Sequence, residues 1–130
     1  MFTIGELSKQ TGVHVETVRY YERAGILPRA ARTSNGRRTY GTADVRRLSF
    51  IRHARELGFE LSAVRALLDL QDHPNATCEK ASQIAVAQLL AIETKISRLK
   101  ILHRELTRMI EGCGNVRVAE CGIIEALSAA

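Results

Sequence analysis

The 130-residue chain contains no tryptophan, two prolines and six aromatic side chains, three Tyr and three Phe. A core drawn from its 45% of hydrophobic residues is therefore mostly aliphatic. No apolar run approaches the roughly 18 residues that a membrane span needs, so a membrane partner is not expected. The segment "MFTIGELSKQ" carries charges where a signal peptide has its apolar stretch, and the expected compartment is the cytoplasm. Cysteine is scarce and odd in number: Cys78, Cys113 and Cys121 suit reduced thiols or a metal site better than a disulfide framework. No Ser/His/Asp or Cys/His constellation stands out, which argues against an enzyme.

Acids are sparse in one region. Between Arg19 and Arg55 there are ten arginines and two acids, Glu22 and Asp44. Residues 1–70 hold 12 Lys/Arg against 7 Asp/Glu, whereas residues 71–130 hold 7 of each. A local basic zone of this kind most often meets a phosphate backbone, the competing reading being a solvated arginine-rich face.

Thr3 followed by Glu6 is a capping-box start, and "IGELSKQ" continues as a short helix to Gly12. "HVETVRYYERAG" repeats apolar residues at helical spacing and stops at Gly25, giving a helix-turn-helix. Asn35-Gly36 predicts a hairpin, a β-wing whose tip and return strand carry Arg37, Arg38 and Tyr40. A helix from an N-cap at Thr42 to Gly58 follows, then another ending before Pro74.

From Thr77 to about Gly112 there is neither Gly nor Pro. Ala85, Leu89, Ile92, Ile96, Leu99, His103, Leu106 and Ile110 keep a 4-3 spacing broken in character only by His103, the pattern of a coiled-coil seam. A helix of roughly 34 residues is about 50 Å long, too long for the head to cover. It is expected to pair with a second copy. The domain reading is 1–75 for a winged helix-turn-helix head, 76–112 for the dimerisation helix, and 113–130 for a C-terminal metal-binding loop with a short helix.

The string "TIGELSKQTGVHVETVRYYERAGILP", then "RRTYGTADVRRLSFIRHARELGFELSAVRALL", then "CGNVRVAECGIIEAL" resembles the MerR family of transcriptional regulators along nearly the whole chain. The likeness is greatest to its metal-sensing branch. The resemblance implies a mainly α fold: a winged helix-turn-helix head, a long antiparallel coiled-coil dimerisation helix and a C-terminal metal-binding loop. It implies a recognition helix over residues 15–23, with Val15, Thr17, Arg19 and Tyr20 toward DNA. It also implies wing contacts from Arg37, Arg38 and Tyr40, and phosphate contacts from Arg52 or Arg55 on a second wing. The implied partners are double-stranded promoter DNA, RNA polymerase at that promoter, and a second copy of the chain.

The thiols admit three readings: buried small apolar residues, a Cys113–Cys121 disulfide disfavoured in a reducing cytosol, or a metal site. Gly112 and Gly114 loosen the backbone around Cys113, and Cys78 sits one residue after an expected N-cap at Thr77. Within one chain the long helix keeps Cys78 from the other two. If two such helices pair antiparallel, Cys78 of one subunit meets Cys113 and Cys121 of its partner, which is also what the resemblance implies. Three thiolates suit a divalent soft ion, ranking Cd(II), Pb(II) and Hg(II) above Zn(II), and Zn(II) above Cu(I). A Cu(I) or Ag(I) site of Cys113 and Cys121 alone is the alternative, although the copper-sensing branch lacks a cysteine matching Cys78. His73 reads first as a loop residue and second as a fourth ligand, with water the other candidate. A redox-responsive regulator and a metal-buffering protein remain as rival functions.

Overall fold

The computed structural model describes residues 1–112, 114 and 117–129. Cys113, one of the three expected ligands, lies outside the described residues. The chain divides into two compact units, Met1–Ala85 and Val86–Ala130. In order, the elements are α1 (Ile4–Thr11), α2 (Val15–Arg23), β1 (Ala31–Arg32), β2 (Arg38–Thr39), α3 (Thr42–Glu56), α4 (Leu61–Gln71), α5 (Glu79–Glu111) and α6 (Gly122–Ser128). A single 3-10 turn, Val118–Glu120, precedes α6. The protein is mainly helical, with a winged helix-turn-helix head as the sequence suggests. No helix among the described residues is long and apolar enough to cross a membrane.

Helix α1 starts where its end groups are satisfied. The hydroxyl of Thr3 accepts from the N–H of Glu6 at 3.2 Å, and Glu6 Oε1 accepts from the N–H of Thr3 at 3.0 Å. The Thr3 N–H, and then its hydroxyl, hold the Glu6 carboxyl below its ordinary range. Gly12 ends the helix at φ 74°, where a side chain would be strained. It also lets α3 come close: a Cβ at Gly12 would lie 2.6 Å from Arg52 Nη1.

The wing is a two-stranded antiparallel ribbon pairing Ala31 with Thr39 and Arg32 with Arg38. Its loop turns through a Gly36 N–H to Thr33 carbonyl bond of 2.9 Å. Gly36 has φ 78°, and among the described residues no non-glycine has a positive φ. This is a three-residue loop closed by a glycine bulge, a standard alternative to the two-residue Asn-Gly turn. Beyond it, Tyr40 bridges back to Phe2 through both backbone groups, at 2.7 and 2.8 Å.

Helix α3 caps one residue earlier than expected. Gly41, not Thr42, is the N-cap, and its N–H donates to Asp44 Oδ2 at 2.8 Å. The third helical residue reaching back to the cap backbone satisfies a donor without a hydroxyl at the cap itself. Helix α4 begins after Glu60, whose side chain makes no cap bond.

The described buried apolar side chains run only from Leu7 to Leu68. Leu7 of α1, Val18 of α2, Leu48 and Ile51 of α3, and Val64 and Leu68 of α4 meet in one cluster with Ile26, Leu27 and Tyr40. Helix α5, 33 residues long, has no buried residue. Its apolar side chains Leu89, Ile96, Leu99, Leu106 and Ile110 stand 46–64% exposed in the single chain.

Candidate nucleic-acid interface and cysteines

Helix α2 and the wing flank a cleft of about 590 Å³, lined by Thr3, Ile4, Arg19, Glu22, Arg23, Arg29, Arg37 and Arg38. Five guanidinium groups thus share one concavity with a single carboxylate. Helical spacing puts Arg19 and Arg23 one turn apart on the same face of α2. Arg29 comes from the segment after Pro28, and Arg37 and Arg38 from the wing. Concentrated positive charge in a concave surface focuses attraction for an anion such as phosphate.

Arg19 already holds an exposed partner, Glu16 Oε1 at 2.8 Å. Such a surface pair contributes little and is readily exchanged for a phosphate or a base edge. Tyr20 is 46% exposed, and Val15 and Thr17 are half-buried at the start of α2. Arg37 is exposed near the wing tip.

Tyr40 requires a correction. It was expected to present its hydroxyl outward, but it is 1% exposed and packs into the head core. Its hydroxyl donates to Glu22 Oε1 at 2.7 Å. Burial first, and then this bond to a carboxylate, push its pKa up to about 12. Alternation along the strand puts Tyr40 on the same side as Arg38, the side that faces Glu22.

Arg52 and Arg55 are exposed but engaged within the head. Arg52 Nη1 donates to the Thr11 carbonyl at the end of α1 while its Nε holds Glu56 at 2.9 Å. Arg55 Nη1 donates to the Phe59 carbonyl at 2.9 Å. Arg65 and Arg47 do the same for other chain turns: Arg65 reaches the Ala24 carbonyl at 2.6 Å, and Arg47 the Ile26 carbonyl at 3.0 Å and Asp72 at 3.2 Å. Thr11 ends α1 and Ala24 caps the end of α2, so their carbonyls lack an intrahelical donor, and a guanidinium supplies several.

Sequence reasoning passed over Arg23 and Arg29. The four-residue spacing from Arg19 marks Arg23; nothing in the sequence marks Arg29, whose place depends on how the chain leaves α2.

Of the cysteines, Cys78 is exposed and Cys121 half-buried. The Ser82 N–H donates to the Cys78 carbonyl at 3.0 Å, so Cys78 itself directly precedes α5. Cys121 stands between the 3-10 turn and α6, its carbonyl accepting from the Glu125 N–H at 3.0 Å. The 33 residues of α5 separate the two in the chain. Among the described residues of one chain, no three His, Cys, Asp or Glu side chains gather at one place. His73 Nδ1 lies 2.8 Å from the Asp69 carbonyl, which commits that nitrogen to the end of α4.

A family model described as MerR HTH family regulatory protein matches residues 2–71, and a second, described as MerR, DNA binding, matches residues 45–109. The chain is 41% identical over 127 residues to the mercuric resistance operon regulatory protein of Bacillus cereus, covering 97% of this chain and 96% of that one. It is 38% identical over 130 residues to the HTH-type transcriptional regulator ZntR of Escherichia coli K12, covering 98% and 92%. The crystal structure of the transcription regulator PbrR691 from Ralstonia metallidurans CH34 in complex with lead(II) aligns with a TM-score of 0.85 at 37% identity. That alignment covers 98% of this chain and 99% of the other.

Proposed function

Because the chain belongs to the MerR family of helix-turn-helix regulatory proteins, we propose that it is a homodimeric, cytoplasmic, metal-responsive regulator of transcription. The observation that carries this reading is a division of labour along the chain. Five arginines surround one cleft in the head, and a helix with an exposed apolar seam is bounded by Cys78 on one side and Cys113 and Cys121 on the other.

In this reading two α5 helices pair antiparallel and cover each other's seam. Residues 1–75 bind promoter DNA, residues 76–112 make the dimer, and residues 113–130 complete the sensor. Val15, Thr17, Arg19, Tyr20, Arg37 and Arg38 face the duplex, while Arg23 and Arg29 add charge to the same cleft. Arg52 and Arg55 reach phosphate only after giving up their carbonyl partners.

Three sulfurs form a donor set suited to a soft divalent ion. Cys78 of one subunit with Cys113 and Cys121 of its partner would hold it, which favours Cd(II), Pb(II) or Hg(II) over Zn(II) and Cu(I). The bound ion supplies a positive centre that joins two subunits through thiolates. Its capture biases the heads only to the extent that one dimer conformation brings the cysteines together better than the other. The metal-free dimer occupies a pseudo-palindromic operator and keeps the promoter inactive. The second conformation distorts the duplex so that RNA polymerase engages both promoter elements.

The test is titration of the reduced full-length chain with Cd(II), Pb(II), Hg(II), Zn(II) and Cu(I), followed through ultraviolet thiolate absorption with pairwise competition. It is joined to transcription from a promoter that the protein binds. One tight divalent site per subunit and metal-dependent transcription are expected. Reversible activation by oxidant in metal-free buffer would instead indicate redox sensing. Tight metal uptake without binding to any duplex at moderate salt would indicate buffering.

A further inference from the structure

Glu22 is the one acid among the side chains lining the arginine cleft, and the DNA-binding reading assigns it no task. Its side chain is 3% exposed. A carboxylate removed from water to this extent is costly unless donors surround it. The donors are the Tyr40 hydroxyl at 2.7 Å, the Ala30 N–H at 3.3 Å and Arg38 Nη1 at 3.4 Å. All three lie beyond the end of α2, in the chain that builds the wing and its return. Glu22 itself belongs to the recognition helix, one residue before its end.

We propose that Glu22 is a positioning residue for DNA recognition, fastening the wing to α2 so that Arg37 and Arg38 face the same cleft as Arg19 and Arg23. The proposal rests on the DNA-binding reading above. The ribbon has only two residues in each strand and needs an anchor, because a lone hairpin this short is marginal in water. Phe2 holds its base through the bridge to Tyr40. Glu22 holds the same base by a side chain, which bonds α2 to the wing strand. Charge alone argues the opposite role: an acid among five arginines weakens attraction for phosphate, so removing it should strengthen binding. The two accounts differ in sign.

The experiment uses full-length protein and a duplex that the wild type enriches from a randomised pool, beside a scrambled duplex of equal length. Glu22→Ala should bind the enriched duplex about tenfold more weakly. Glu22→Gln, which keeps an oxygen for Tyr40 but no charge for Arg38, should fall between it and wild type. Binding to the scrambled duplex should stay level or rise. In an Arg37→Ala/Arg38→Ala background the Glu22→Ala loss should shrink to under about twofold, because a fastening matters only when the wing has contacts to deliver.

Equal or tighter binding of the enriched duplex by folded Glu22→Gln would overturn the positioning role, as would a full loss that persists without the wing arginines. Should Glu22→Ala fail to fold, Glu22→Gln decides alone: weaker binding supports the role and unchanged binding removes it. A wild type that enriches no duplex would overturn the DNA-binding reading itself, and the proposal with it.

Discussion

Leu7, Leu48 and Val64 of the head are sealed from solvent, whereas Leu99, Ile101 and Ile110 of α5 keep 59–64% of their surface exposed. Both regions are built of aliphatic side chains at helical spacing, yet only the head arranges its helices so that they cover one another. Four short helices and a ribbon surround a shared interior; the long helix has no buried residue. Burying one such side chain is worth roughly 1.5–3 kcal/mol. Leaving a full seam uncovered is a standing drive toward association with a matching surface. Within one chain, folding is complete in the head and unfinished in α5.

The sharpest way to break this comparison is a charge in the seam. Leu99→Asp should weaken dimerisation on the order of a hundredfold or more, since each copy would bury an unpaired carboxylate. Sedimentation should then show monomer while the head retains its melting transition. A dimer of unchanged strength would place the interface elsewhere.

Next in size is the proposed metal site. Cys78→Ser and Cys113→Ser chains should each lose tight Cd(II) uptake. Mixed dimers containing one of each should recover one tight site, because one site then draws all three sulfurs from unaltered positions. Heterodimers that bind no more Cd(II) than either parent would show that the site is not shared between chains.

A smaller effect tests how completely the head is closed. The Tyr40 phenol is pushed from an ordinary 10 to about 12 by burial and by Glu22. The folded chain holds its proton more tightly than the unfolded chain. The associated stabilisation is therefore fully present below pH 10 and is lost as pH rises through 12. It amounts to roughly 2–3 kcal/mol. Denaturant melts should show wild type losing that much more stability across the window than Tyr40→Phe. Parallel pH profiles would mean that the hydroxyl is open to solvent. The smallest expected change is at the start of α1, where Thr3→Ala removes half of a capping box and should cost about 1 kcal/mol without altering the dimer.

Much of the head was legible because its signals are local. The capping box at Thr3, the bounds of α2 and the Asn35-Gly36 hairpin each depend on a few adjacent residues. The length of α5 was legible for a related reason, since a run without Gly or Pro repeats the same statement many times. What sequence could not reveal depends on which way one side chain turns at a junction. Tyr40 reads as a surface hydroxyl from the resemblance of its wing, yet the Phe2 bridge and the bond to Glu22 take it inside. Arg52 read as a candidate for phosphate, and its partner is the Thr11 carbonyl, 41 residues away in the chain. Cys78, not Thr77, directly precedes α5, although Thr77 carries the side chain better suited to a cap.

The arginines bound to chain carbonyls have a consequence for anyone editing this protein's surface. A formal charge of +5 suggests a simple way to make it less adhesive: replace cations until the number falls. Arg47, Arg52, Arg55 and Arg65 are poor choices for that purpose. Arg47 and Arg52 each serve two acceptors at once through a flat fork of N–H groups, and lysine would offer a single point in its place. Neutralising them would release the helix ends and chain turns they hold as well as lower the charge. Arg32 is a better starting point among the exposed cations, since its guanidinium contacts only the Gly36 carbonyl of its own loop among the bonds described.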